Sequence, residues 1–145
     1  MSDVENPYAN PVSTAAPLSP AEEKQWSVLT HVLSIFFGVV AAGAFFFLFR
    51  DRGPFVRHHV TTEWNFQLTV TAISVVGFVV SFLSVFLSMG FEGGGGAPPT
   101  IAFFFVGYFL VLAVRLIAVV LGIRAAMVAN RGNLYTYPAI RFVQQ

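Results

Sequence analysis

Apolar residues fall into three long runs along the chain, and each run is long enough to form a helix across a membrane. The runs cover about residues 28–49, 64–89 and 101–126, with few polar side chains inside them. About 20 helical residues cross a hydrocarbon core that is about 30 Å thick. The pattern therefore predicts an all-α fold, a membrane-spanning bundle of three helices.

Polar segments separate the runs and set the boundaries of the predicted domain. Residues 1–18 are rich in Pro, Ser and Asn, which predicts a disordered tail. Ser19, Pro20 and Glu22 form a capping-box pattern that starts a helix. The membrane domain is predicted over residues 19–128, with a flexible glycine-rich loop at 90–100 and a surface tail at 129–145.

Small residues recur at helical spacing in each run and predict faces on which two helices pack closely. In the second run they are separated by steps of three and four residues, at Ser74, Gly77, Ser81, Ser84 and Ser88. The other two runs repeat them at every fourth residue, at Ser34, Gly38 and Ala42 and at Ala118, Gly122 and Ala126. No base lies at a matching depth in the second run, so none of its serines is predicted to be catalytic.

Composition agrees with a membrane location. Hydrophobic residues make up 56% of the chain and charged residues only 10%, whereas about a quarter of the residues of soluble proteins are charged. The chain contains no cysteine, which excludes disulfides and thiolate chemistry.

The distribution of basic residues predicts an orientation. Three spans would put Lys24 on one side of the membrane and six arginines on the other: Arg50, Arg52, Arg57, Arg124, Arg131 and Arg141. Loops rich in Lys and Arg stay in the cytoplasm. We therefore expect a multi-pass protein of the cell inner (plasma) membrane, with its N-terminus outside and its C-terminus in the cytoplasm.

Arg115 is a charge inside the third run and needs a partner there. Glu63, Asn65 and Gln67 open the second run at a matching depth, so an intramembrane polar cluster of these four residues is predicted. The alternative is that Arg115 extends toward lipid phosphates with its stem along the helix.

The segment between the first two runs contains three arginines and two histidines. Arg50, Arg52, Arg57 and His58 are predicted to face anionic lipid headgroups. Adjacent histidines on a helix point about 100° apart, and no second group of ligands completes a metal shell, so no metal or other cofactor is predicted. His31 is interpreted as an interfacial histidine, because a proton relay would need acidic partners inside the membrane.

Three groups of residues together resemble a known family. They include His31 in the first run, Pro54, His58 and His59 with Glu63 at the start of the second, and Tyr137 and Pro138 after the third. In this order they resemble small bacterial membrane proteins that have no assigned activity. That group is related to the twenty-kilodalton subunit of the chloroplast inner-envelope protein translocon. The resemblance implies a link to protein translocation.

The function expected from the sequence is that of a non-catalytic accessory or assembly component of a larger membrane complex. No nucleophile–base pair and no metal set is visible, so the chain is not expected to be an enzyme. Its expected partners are the bilayer and other membrane subunits or a second copy, without nucleic acid. The alternative is an oligomeric pore or carrier with a cytoplasm-facing polar pocket around Arg115.

Overall fold

The part of the chain that the structure describes folds into four helices, two short and two long. The computed structural model describes residues 16–89 and 100–144, without the side chains of residues 89 and 100. The helices are α1 (Pro20–Phe37), α2 (Val39–Phe49), α3 (Pro54–Met89) and α4 (Thr100–Asn130), and the described residues contain no strand. The all-α prediction is confirmed. Most of the predicted disordered tail and nearly all of the glycine-rich loop lie outside the described residues.

The first apolar run forms a helical hairpin instead of one helix. Gly38 ends α1 with φ +56°, a left-handed conformation that favours glycine, and α2 begins at the next residue. α2 then runs back along α1. The contacts between the two arms show this: the centroids of the Trp26 and Phe49 rings are 4.6 Å apart, and Leu18 N donates to Arg52 O at 2.8 Å. One continuous helix would separate Leu18 from Arg52 by about 50 Å.

Two helices, and not three, are long and apolar enough to cross a membrane among the described residues. They are Pro54–Ser88 and Ile101–Asn130, which belong to α3 and α4. The predicted span at 28–49 is wrong, because the turn at Gly38 leaves arms too short for a crossing. The 11 residues of α2 extend only about 16 Å, roughly half of the hydrocarbon core.

The hairpin also corrects the predicted arrangement of the chain across the membrane. Leu18 lies beside Arg52, and Lys24 and Asn130 line one shallow cavity, so the start of α1 and the end of α4 are neighbours. The start of α1 and the loop that carries Arg50 and Arg52 therefore lie at the same end of the bundle. The prediction that placed them on opposite sides of the membrane does not fit this structure. We call this end the basic end, since it carries seven of the eight Lys and Arg residues, namely Lys24, Arg50, Arg52, Arg57, Arg124, Arg131 and Arg141.

Glu23 joins the first hairpin to the start of α3. Its carboxylate accepts from the backbone N–H groups of Phe55 at 2.8 Å and Val56 at 3.0 Å. The first N–H groups of a helix have no partner within the helix, and a negative charge there is stabilised by the helix dipole. Gly53 makes this approach possible, because a Cβ at that position would overlap the Glu23 carboxylate.

The small-residue faces predicted in the second and third runs are contacts between these helices, whereas the turn at Gly38 divides the face predicted in the first run. A Cβ on Gly107 of α4 would overlap the Gly77 carbonyl, and the Ser81 hydroxyl donates to Phe104 O at 3.1 Å. On the other side of α4, a Cβ on Gly122 would lie 2.9 Å from Ile35 of α1. The helices therefore approach closely along these stripes, as membrane helices do.

The distribution of polarity is inverted relative to a soluble protein. Only 17% and 6% of the residues in the most apolar windows of the two candidate spans are buried. Buried positions instead include many polar residues, among them Thr30, His31, His59, Glu63 and Gln67. Large apolar side chains such as Phe37 and Phe82 point outward, which is the arrangement expected of a protein surrounded by lipid.

We predict that cysteines introduced at Ser19, Asp51 and Gln144 will all react with a membrane-impermeant maleimide from the same side. The natural chain has no cysteine, so each variant carries a single thiol. Ser88→Cys, in the last turn of α3, serves as the matched control for the opposite side. Labelling of Ser19→Cys from the same side as Ser88→Cys would contradict the hairpin and restore three spans.

Candidate functional site

α1 presents a polar face to the rest of the bundle. Its buried residues recur at helical spacing, so that they share one side of the helix: Glu23, Ser27, Thr30, His31 and Ser34. The hydroxyls of Ser27 and Thr30 donate to carbonyl groups four residues earlier, at 2.7 and 2.8 Å. These two hydroxyls therefore bond within α1 itself. His31, in contrast, bonds to residues of α3.

Glu63 of α3 is the centre of a buried polar cluster, which consists of His31, His59, Glu63, Gln67 and Tyr137. Glu63 Oε2 accepts from Tyr137 OH at 2.6 Å and contacts His31 Nδ1 at 2.7 Å. Its Oε1 accepts from Gln67 Nε2 at 2.8 Å. Glu63 is 1% exposed, and each of the other four side chains is 4% exposed or less. A buried carboxylate without partners would be very unfavourable, and here both oxygens are occupied.

The two histidines extend the cluster by one more hydrogen bond. His31 Nε2 and His59 Nδ1 are 2.9 Å apart, and the two rings meet edge to face. A neutral His31 that donates from Nδ1 to Glu63 can accept from His59 Nδ1–H with Nε2. This assignment gives each of these bonds one donor and one acceptor.

Tyr137 brings the C-terminal tail into the cluster. Its ring stacks on Phe66 of α3 with centroids 4.0 Å apart and planes within 4° of parallel. Burial, followed by the charge of Glu63, raises the pKa of the Tyr137 hydroxyl well above its ordinary value. The hydroxyl therefore stays protonated and acts as a hydrogen-bond donor.

Asn65 fastens the same tail further along, and it faces away from Gln67. Its Oδ1 accepts from the backbone N–H groups of Phe142 and Val143 at 3.0 and 2.9 Å, and its Nδ2 donates to Val143 O at 2.8 Å. Nearby, Thr69 Oγ1 accepts from Ile140 N at 3.1 Å. α3 thus supplies side chains that pair the backbone of a tail lacking regular secondary structure.

The structure brings together only part of the predicted intramembrane cluster. Glu63 and Gln67 are hydrogen-bonded, whereas Asn65 binds the tail. Arg115 is exposed, and no hydrogen bond joins it to these three residues within the described part of the chain. Its Nη1 lies 3.5 Å from where a Cβ on Gly38 would stand, at the C-terminal end of α1. A positive charge is favourable there, because helix dipoles are negative at that end.

The predicted headgroup residues all lie at the basic end, where several of them also make protein contacts. Arg50 Nε and Arg57 Nη2 both pair with Asp51 at 3.2 Å, and these three side chains are about half exposed. Arg52 Nε donates to Ala16 O, and His58 Nε2 bonds to Tyr135 O at 3.0 Å. A cavity of about 460 Å³ lies between α3 and the tail, and Arg141 and His58 line it. Pro54 starts α3, and Pro138 is exposed beside Tyr137.

The interpretation of His31 as an isolated interfacial histidine is wrong. It is fully buried and has an acidic partner, Glu63, 2.7 Å away. Spacing alone could not pair them, because a first helix that crossed the membrane would place His31 and Glu63 at opposite surfaces. The sequence did contain one indication: Ser27, Thr30 and Ser34 lie on the same helical face as His31, and a polar face of this kind packs against protein and not against lipid. Among the described residues, no group of three or more His, Asp or Glu side chains is arranged to hold a metal ion.

We predict that Glu63→Gln will lower the free energy of unfolding by about 1–3 kcal/mol, because one acceptor oxygen becomes an amide donor and leaves a buried donor of the cluster unpaired. Tyr137→Phe removes one donor and should lower it by about 1–3 kcal/mol. The measurement is denaturant unfolding of the purified protein in detergent micelles, followed by circular dichroism.

Tyr135→Phe is the matched control for this series. Its hydroxyl makes no hydrogen bond among the described residues, and its ring lies 5.0 Å from that of Tyr137. It should leave stability nearly unchanged. Equal effects of Tyr137→Phe and Tyr135→Phe, or strict additivity of Glu63→Gln with Tyr137→Phe, would contradict the role of the cluster.

Comparison with known proteins identifies one family. The family described as the magnetosome magnetite crystal formation protein family matches residues 22–143, which is most of the chain and includes every member of the buried polar cluster. No curated protein and no solved structure matches the chain. The predicted relation to the chloroplast translocon subunit is therefore wrong, and with it the implied link to protein translocation.

Proposed function

The chain belongs to the magnetosome magnetite crystal formation protein family, and we propose that it serves magnetite crystal formation as a non-catalytic component of the magnetosome membrane. The family match carries this proposal. It replaces the expected location in the general plasma membrane with the membrane of the magnetosome, the compartment that the family description names. The proposal retains the accessory role that the sequence led us to expect, and it drops the link to protein translocation.

The chain is a membrane protein, and its described structure suits that role. α3 and α4 are long and apolar, and their outward faces are covered with side chains such as Phe78, Phe86 and Phe109, each more than half exposed. Lipid is the solvent in which such faces are stable. From Ser27 onward, the polar residues of α1 are turned inward, so the surface of this part of the helix remains apolar.

A non-catalytic role is supported by the state of the buried polar cluster. A general base needs a lone pair within reach of a substrate. Glu63 has donors on both oxygens, and it is sealed inside the bundle together with His31. The cluster connects α1, α3 and the C-terminal tail, so its proposed role is to hold the basic end in one conformation.

The proposed orientation places the basic end in the cytoplasm. All of the Lys and Arg residues except Arg115 lie at this end, and such an excess marks the cytoplasmic side. Arg50, Arg52 and Arg57, with His58, are proposed to contact anionic headgroups. Each such charge near the surface contributes about 1 kcal/mol.

We expect deletion of the gene for this chain, in a magnetite-forming bacterium that carries it, to reduce the mean diameter of the crystals. Electron microscopy of whole cells measures crystal size, and fractionation of a tagged, functional copy tests its location. Wild-type protein and Tyr135→Phe should restore the crystals, whereas Glu63→Gln should restore them incompletely because its basic end is loosened.

Two outcomes would overturn this proposal. One is a normal crystal population in cells that lack the protein. The other is recovery of the tagged chain in membranes other than those around the crystals. Immunoblots of each variant separate a loss of protein from a loss of activity.

A further inference from the structure

The depth of the first hairpin can be measured against α4. Ile101 and Arg124 limit the apolar part of that helix, which is about 35 Å long at 1.5 Å per residue. Arg115 stands beside Gly38 at the tip of the hairpin, and it precedes Arg124 by nine residues, or about 14 Å. The hairpin therefore enters the hydrocarbon from the basic end and stops before the middle of the core.

The tip of the hairpin has the surface of a segment immersed in lipid. Phe36, Phe37 and Val40 surround the turn at Gly38 and are 75%, 64% and 74% exposed. Water would be an unfavourable solvent for three adjacent apolar side chains of this size. α2 continues the same surface with Phe47 and Leu48, which are exposed to a similar degree.

Among the described residues, α3 and α4 are the segments that continue beyond the tip. They pack against each other through Gly77 and Gly107, and their remaining faces carry exposed residues such as Phe82 and Val106. In the described residues, the leaflet at the basic end thus contains four helical segments and the opposite leaflet contains two.

The C-terminal tail adds further bulk to the same side. Leu134, Ile140 and Phe142 are 58%, 60% and 52% exposed, and they alternate with Arg131 and Arg141. Apolar residues interspersed with arginine are typical of segments that insert between lipid headgroups. The hydrogen bonds of Asn65 and Thr69 hold the tail at this height.

We propose that the protein is a wedge that prefers strongly curved membranes and places its basic end on the convex side. Convex curvature spreads the headgroups of the outer leaflet and opens space that four helices and an inserted tail can fill. The opposite leaflet is compressed, and it has to accommodate only two helices. With the basic end in the cytoplasm, the favoured surface is one that bulges into the cytoplasm.

The test uses the full chain with Gln144→Cys, which is reconstituted into giant vesicles of phosphatidylcholine and phosphatidylglycerol. An impermeant fluorescent maleimide added outside labels only the molecules whose basic end faces outward. A membrane tube of about 20 nm radius is then pulled from the vesicle, so that its outer surface is convex. The ratio of protein to lipid fluorescence in the tube, relative to the vesicle, measures sorting.

We expect outward-facing molecules to be enriched in the tube by about twofold, an order of magnitude set by two extra helices of about 10 Å diameter each. Molecules facing inward provide the matched control. They are labelled with a permeant dye after the outer thiols have been blocked, and they should be depleted from the tube. Equal density in tube and vesicle, or enrichment of both orientations, would overturn the proposal.

A second variant separates the hairpin from the tail. The triple substitution Leu134→Ser, Ile140→Ser and Phe142→Ser removes the exposed apolar residues of the tail and leaves Tyr137 in place. It should lower the enrichment of outward-facing molecules without reversing it, since the hairpin remains. A complete loss of sorting in a variant with unchanged helix content would show that the hairpin is not a wedge. None of these measurements depends on magnetite, so the wedge and the proposed function can fail separately.

Discussion

The carboxylate of Glu63 is the group on which the rest of this structure depends. It lies inside a bundle that is surrounded by apolar surface, and it accepts hydrogen bonds there from Tyr137 and Gln67 while His31 lies within hydrogen-bonding distance. A buried carboxylate in such a place is tolerated only if hydrogen-bond donors surround its oxygens. The donors come from α1, from α3 and from the tail, so satisfying one charge determines where three separate segments of the chain must lie.

The turn at Gly38 is what allows this arrangement, and it is also where prediction from the sequence failed. A glycine inside an apolar run is compatible with a close helix contact as well as with a break, and periodicity alone does not distinguish the two. Here the left-handed φ reverses the chain. The reversal places His31 and Glu63 on the same side, whereas a straight helix would have separated them by the thickness of the membrane. The residues of the site were visible in the sequence, but their partners depended on one backbone angle.

Features set by local pattern were predicted well. The capping box at Ser19 and Glu22 starts α1, and the small residues of the second run mark its contact with α4. Each of these depends on neighbours within one or two helical turns. Arg115 shows the limit of such reasoning, because matching depth suggested a partner on α3, and the side chain stands at the end of α1 instead. Depth restricts which residues can meet, but the direction in which a side chain points depends on packing.

The same turn changes the meaning of the charges. With three spans, one lysine opposed six arginines across the membrane; with the hairpin, those seven residues share one end of the bundle. The charge asymmetry and the asymmetry of bulk then coincide, since the end that carries the positive charge also carries the hairpin and the tail. A protein with this shape has no equivalent faces, and a lipid layer that surrounds it must differ between its two leaflets. For the proposed role in the magnetosome membrane, such polarity offers a physical basis for distinguishing the inside of the compartment from the outside.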